Sequence, residues 1–146
     1  MKNAIYIIVI VYCLLRVEGY AQTTLTPSEK TVALTILAEA RGEGQAGMYA
    51  VACVIQQRSI NRNLTPARVC KQRKQFSCWN SGRNLSYLLK SSQANYAILL
   101  AKNIIGLDLS YTNNADHYCT LKTHNYWTKK NKIIKIIGNH KFYKLK

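Results

Sequence analysis

Residues 46–59 constrain the fold more than any other stretch of this chain. Helical spacing places Met48, Val51, Ala52 and Ile55 on one face. Ala46, Ala50, Cys53 and Val54 make most of the other side apolar as well. A helix that is apolar nearly all round has to be covered on every side. The spacing therefore predicts a central helix from about Ala46 to Ser59, with the rest of the chain wrapped around it.

The helix before it has clear signals. Thr26-Pro27-Ser28-Glu29 combines a capping threonine, a proline in the first turn and a glutamate three residues after the cap. Val32, Ala33, Ile36, Leu37 and Ala40 continue at helical spacing, and Gly42 is the expected stop. Downstream, Asn61-Arg62-Asn63 reads as a loop. Thr65-Pro66 opens a short helix ending near Cys70, and residues 71–80 read as a basic surface loop. A further helix spans about Ser92 to Ile105, with Ala94, Ala97, Ile98, Ala101, Ile104 and Ile105 inward. Asn113-Asn114 marks a turn. Ala115 to Thr120 is a candidate strand, and Gly138-Asn139-His140 lies between two candidate strands of a hairpin. The expected fold class is α+β, mainly helical, with a small β-hairpin element near the C-terminus.

The first 21 residues read as a secretory signal. Lys2 precedes an unbroken apolar run from Ala4 to Leu15, and Gly19 and Ala21 are small residues before a cut. The run is short for a membrane span. Cleavage leaves one domain, residues 22–146, without repeats or a linker, and no stable span in the membrane. It also leaves an even set of four cysteines, Cys53, Cys70, Cys78 and Cys119. In an exported chain that count points to disulfides, of which Cys70–Cys78 is the preferred pair because the two bracket the basic loop.

Charge narrows the partners. The chain has 21 Lys and Arg against 6 Asp and Glu. Without residues 1–21 the balance is still +14. Such a field draws the protein to polyanions: wall polymers, membrane surfaces or nucleic acid. Only five acids remain after the signal: Glu29, Glu39, Glu43, Asp108 and Asp116. Glu29 is occupied by its cap, and Asp108 follows the glycine that ends a helix. Glycosidic cleavage needs a proton donor and, in hydrolysis, a second carboxylate. Glu39, near the end of the first helix, is the candidate acid/base. Glu43 and Asp116 are the candidate partners. A purely structural reading, with both glutamates paired to Arg41 and neighbouring lysines, stays open at this point. His117, Cys119 and His124 match no closed zinc spacing, so no metal or other cofactor is expected. Phosphate-loop and serine-nucleophile motifs are absent. Phe76, Trp79, Tyr118, Tyr126, Trp127, Phe142 and Tyr143 lie among polar residues, where aromatic faces suit sugars and bases alike. For Trp127 and Phe142 a core role is the better reading.

Five segments together resemble one known family: residues 38–43 (AEARGE), residues 47–57, residues 75–80 (QFSCWN), residues 115–118 (ADHY) and residues 137–143 (IGNHKFY). Their identity and order are similar to those of the cell-wall hydrolase family of the spore cortex-lytic enzymes. The resemblance implies a lysozyme-like catalytic fold and cleavage between N-acetylmuramic acid and N-acetylglucosamine. It implies Glu39 as acid/base, Glu43 as a supporting group, and Phe76, Ser77, His117 and Tyr118 around the groove; His140 is a further candidate for binding sugar. Two departures bear on glycan preference. Cys119 stands where a second histidine is more usual, and Asn125-Tyr126-Trp127 lacks the usual proline. The implied partners are peptidoglycan and anionic wall polymers, met by a monomer that is secreted or periplasmic and wall-associated, with no role for nucleic acid. With no second carboxylate firmly placed, a lytic transglycosylase is favoured. The alternatives are a muramidase-type hydrolase using Glu43 or Asp116, a non-catalytic cationic wall-binding or antimicrobial protein, and a nuclease using His117 or His140 with a lysine.

Overall fold

The computed structural model describes residues 24–145; the expected signal segment lies outside them. Helix α1 (Pro27–Ala40) starts as its sequence dictates. The Thr26 hydroxyl accepts the Glu29 N–H, and the Glu29 carboxylate accepts the Thr26 N–H in return. A 3-10 turn, Arg41–Glu43, leads directly into α2 (Gly44–Arg62). The left-handed residue at this junction is Gly44 (φ 68°), not the expected Gly42. The chain needs positive φ where it turns into the second helix, one short turn beyond the end of the first.

Helix α2 is longer at both ends than the apolar pattern suggests. It runs through the expected loop to Arg62 and stops at Asn63, which is left-handed. The Gln57 amide donates to Asn61 Oδ1 one turn on, which supports the polar last turn. Met48, Ala50, Val51, Ala52, Cys53, Val54 and Ile55 are all fully buried. Both faces are covered, by different partners. Met48, Val51, Ala52 and Ile55 join the helical core with α1, α3 (Pro66–Lys71) and α4 (Ala94–Lys102). Ala50 and Val54 pack against Ala115 and Phe142 of the sheet side. Each buried Val, Leu or Ile contributes roughly 1.5–3 kcal/mol over exposure, so α2 is the main apolar support of both halves.

Helix α4 is shorter than expected. A 3-10 turn at Ile104–Gly106 replaces its last turn and leaves Ile105 81% exposed rather than inward. The strands β1 (His117–Thr120), β2 (Lys135–Ile137) and β3 (His140–Tyr143) form an antiparallel sheet in the order β1-β3-β2. The expected hairpin is β2–β3, turning at Gly138 (φ 55°). β1 pairs with the far edge of β3, Tyr118 opposite Phe142. A short helix, α5 (Tyr126–Lys130), lies between β1 and β2. Among the described residues no helix is long and apolar enough to cross a membrane.

The four cysteines of the described region are free thiols, so the expected Cys70–Cys78 disulfide is corrected. Cys70 is buried in the helical core, where its thiol meets Thr35 and Arg58. Cys78 is half-buried in the 3-10 turn Ser77–Trp79 and faces Glu39. The loop these cysteines bracket is held by other means. The Trp79 indole N–H donates to the buried Thr35 hydroxyl at 3.0 Å, and the Lys71 ammonium covers the Trp79 ring at 3.2 Å from its centroid. Trp79 thus fastens the loop to α1 instead of offering a free aromatic face.

Candidate active site

A polar groove of about 630 Å³ opens where the last turn of α1, the 71–80 loop and the sheet meet. Glu39 stands on its wall, together with Arg58, Ser77, Cys78, Tyr118 and His140. A second depression of about 320 Å³ shares Ala38, Ser77 and Cys78 with it and continues towards Arg41, Arg83 and Tyr87. The groove therefore extends to both sides of Cys78, as a site for a chain-like ligand requires.

Glu39 is carried by a rigid helix one residue before its end. The Tyr118 hydroxyl donates to Glu39 Oε2 at 2.9 Å. Tyr118 comes from β1, 79 positions away, and its phenol is pushed well up, by burial first and then by the adjacent carboxylate. It therefore remains a neutral donor. Burial, followed by the Glu39 carboxylate, also pushes the Cys78 thiol up to about 12. Arg41 does not pair with Glu39; its guanidinium reaches back to the Leu37 carbonyl at 3.4 Å.

The other two carboxylates are occupied elsewhere. Asp116 is buried and accepts the Leu145 N–H at 2.9 Å, the His117 ring nitrogen at 2.8 Å and the Asn61 amide at 3.3 Å. It holds the C-terminal tail and the start of β1. Glu43 accepts the backbone N–H of Asn139 at 2.9 Å and its side-chain amide at 3.3 Å. This pair of bonds fixes the β2–β3 turn against the α1–α2 junction. The Asn139 N–H holds the Glu43 carboxyl below the usual range. A Cβ at Gly138 would sit 2.6 Å from Glu43 Oε2, so the clamp also relies on that glycine.

Of the expected site residues, Glu39, Ser77, Tyr118 and His140 come together on the groove. Glu43, Phe76 and His117 do not. Phe76 is 2% exposed and belongs to the helical core, with the Arg58 guanidinium 5.2 Å over its ring. His117 precedes Tyr118 on a strand, so it points to the opposite face. There it bonds Asp116 and packs on Trp127, and burial lowers its pKa despite the carboxylate.

Arg58 and Cys78 line the groove but were not among the expected residues. Arg58 is 5% exposed; its Nε donates to the Asp116 carbonyl at 2.6 Å, and its Nη1 has no partner among the described residues. A sequence signal for it exists: Arg58 lies three and four residues after Ile55 and Val54, which places a cation on a buried helix face. The sequence offered Cys78 as a disulfide partner and as part of the 75–80 segment, whereas its meeting with Glu39 exists only through the fold. Among the described residues no three His, Cys, Asp or Glu side chains gather as metal ligands.

A family model described as Cell Wall Hydrolase matches residues 42–143. That span includes Glu43, Ser77, Tyr118 and His140, and starts just after Glu39. Among solved structures, the chain is similar to the catalytic domain of the germination-specific lytic transglycosylase SleB from Bacillus anthracis. The two are 31% identical over 87% of this chain and 98% of that one, with a TM-score of 0.65. The catalytic domain of the Bacillus cereus SleB protein is 29% identical over 87% and 99% of the two chains, also with a TM-score of 0.65. No curated protein sequence matches the chain.

Proposed function

We propose, from the premise that this chain belongs to the cell wall hydrolase family, that it cuts peptidoglycan strands as a lytic transglycosylase with Glu39 as its single acid/base. The enzyme is a peptidoglycan glycosidase; the product type and the residue roles are our reading. One observation carries that reading: among the described residues Glu39 is the only carboxylate lining the groove. Hydrolysis by inversion or retention uses two. Here the candidate second groups are held away, Asp116 by three bonds and Glu43 by the Asn139 clamp.

In the proposed sequence protonated Glu39 gives its proton to the glycosidic oxygen between N-acetylmuramic acid and N-acetylglucosamine. The bond from that oxygen to the muramic C1 breaks, and the glucosamine leaves with a free 4-hydroxyl. Charge then develops on C1 and the ring oxygen. The Glu39 carboxylate, held by the Tyr118 hydroxyl, takes the proton of the muramic 6-hydroxyl as O6 bonds C1. The product ends in a 1,6-anhydro ring, Glu39 is protonated again, and no water is consumed. Ser77 and His140 are proposed to hydrogen-bond the glycan. Residues 1–21 are proposed to export the enzyme to the wall.

The test is release of muropeptides from purified sacculi by Glu39→Gln, Glu43→Gln and Asp116→Asn. Glu39→Gln should lose at least about a hundredfold in rate with the fold intact. Glu43→Gln should lose much less. Near-normal turnover by Glu39→Gln would remove Glu39 from its role, and an equal loss in a folded Asp116→Asn would overturn the single-carboxylate reading.

A further inference from the structure

A third cavity, of about 250 Å³, lies on the other side of α2. Gln45, Ala46, Tyr49, Tyr96, Asp108 and Tyr111 line it, and none of them lines the groove. Tyr49 is nine residues before Arg58, about two and a half helical turns, and so faces the opposite way.

Three features make this a built site. First, the Tyr49 and Tyr111 rings meet edge to face, 5.0 Å between centroids at 84°, forming a corner instead of a flat platform. Tyr96 adds a third ring to the lining. Second, Asp108 is fixed at three points. Its N–H donates to the Tyr49 hydroxyl at 3.0 Å, its carbonyl accepts the Cys53 thiol at 3.6 Å, and its carboxylate accepts the Ser110 N–H at 3.0 Å. Third, no lysine or arginine lines the cavity, and Asp108 makes no ion pair among the described residues. In a chain of net charge +15, a fixed carboxylate among three tyrosines, with no lysine or arginine among the described lining residues, is a local reversal of sign.

Perpendicular aromatic walls with a carboxylate match a compact cation. The ring faces are negative and attract an ammonium, and the carboxylate supplies the charge. A pyranose would need one open, flat face. We infer that this cavity binds the primary ammonium of a peptide side chain, of the kind carried by the stem peptides of peptidoglycan. The choice of peptide rests on the proposed function; the ammonium chemistry rests on the cavity alone. Bound there, a stem peptide would hold the wall to the enzyme on the side away from Glu39.

The test uses the full chain and two soluble probes: a lysine-containing stem tetrapeptide acetylated at its N-terminus, with a free ε-amine, and the same peptide also Nε-acetylated. Binding is followed by NMR shifts of the Asp108 and Ser110 amides. The free amine should shift them and the acetylated peptide should not. Asp108→Asn should weaken binding by at least roughly fivefold. Asparagine keeps an oxygen for the Ser110 N–H, and Tyr96→Leu serves as a second variant should the loop not tolerate the change. Equal binding of both peptides, the same shifts with N-acetylglucosamine oligomers alone, or no shift with any probe would overturn the inference. Cleavage of peptide-free glycan strands, measured in parallel, should be unchanged in Asp108→Asn. Failure of that cleavage in the unmodified enzyme counts against the glycosidase reading and leaves the binding result to be judged separately.

Discussion

The contact between Tyr118 and Glu39 is the smallest unit on which the account depends. In the proposed reaction Glu39 becomes a carboxylate each time it gives up its proton, and the Tyr118 hydroxyl, 2.9 Å from Oε2, is the donor that receives it. Tyr118→Phe should keep the ring contacts with His140 and Phe142 and remove only that donor. The expected result is a rate roughly tenfold lower on sacculi with binding little changed, since a hydrogen bond to a charged group is worth about 1.5–3 kcal/mol. A rate equal to that of the unmodified enzyme would show that the contact takes no part. Glu39, which lines the groove, stood out in the sequence because acids are scarce and two of the other four, Glu29 and Asp108, had another visible task. The fate of His117 was not. On a strand, one of two adjacent residues must face away, and the pattern Asp116-His117-Tyr118 does not say which.

At the scale of elements, the β2–β3 turn is held by a side chain 96 positions earlier. The Glu43 clamp should therefore be visible in stability. Its carboxyl is lowered in the folded state, so its stabilisation is fully present above the unfolded glutamate value of about 4.3 and is lost as pH falls through the folded value. Thermal melts of the unmodified enzyme and Glu43→Gln should differ at pH 7, and the gap should close as pH falls through the lowered folded value. A gap that persists in acid would mean that the clamp does not depend on charge. The elements themselves were largely legible. Thr26 to Glu29 set the start of α1, Pro66 the start of α3, and Gly138 the hairpin turn. The ends were less so. The last turn of α2 owes its helix to Asn61, which bonds Gln57 and the distant Asp116, and the second of these exists only after folding. The pairing of β1 with β3 across α5 is non-local in the same way.

For the whole molecule, the central position of α2 followed from its apolar circumference, and the sheet it supports on one side gives that pattern its reason. The +15 charge has no equivalent explanation in packing, since its carriers are mostly exposed. On the proposed function it serves attraction to a polyanionic wall. Binding to sacculi should weaken as salt rises, because exposed charges are screened beyond roughly 10 Å at 0.1 M. Binding that does not respond to salt would assign anchoring to the groove and the tyrosine cavity alone. The central claim is that one carboxylate carries the reaction, and it is tested most directly by the chemistry of the released ends. Mass spectrometry of muropeptides from sacculi digested by the unmodified enzyme should show 1,6-anhydromuramic acid termini that borohydride does not reduce. Ordinary reducing termini would contradict the account and require a second carboxylate at the groove.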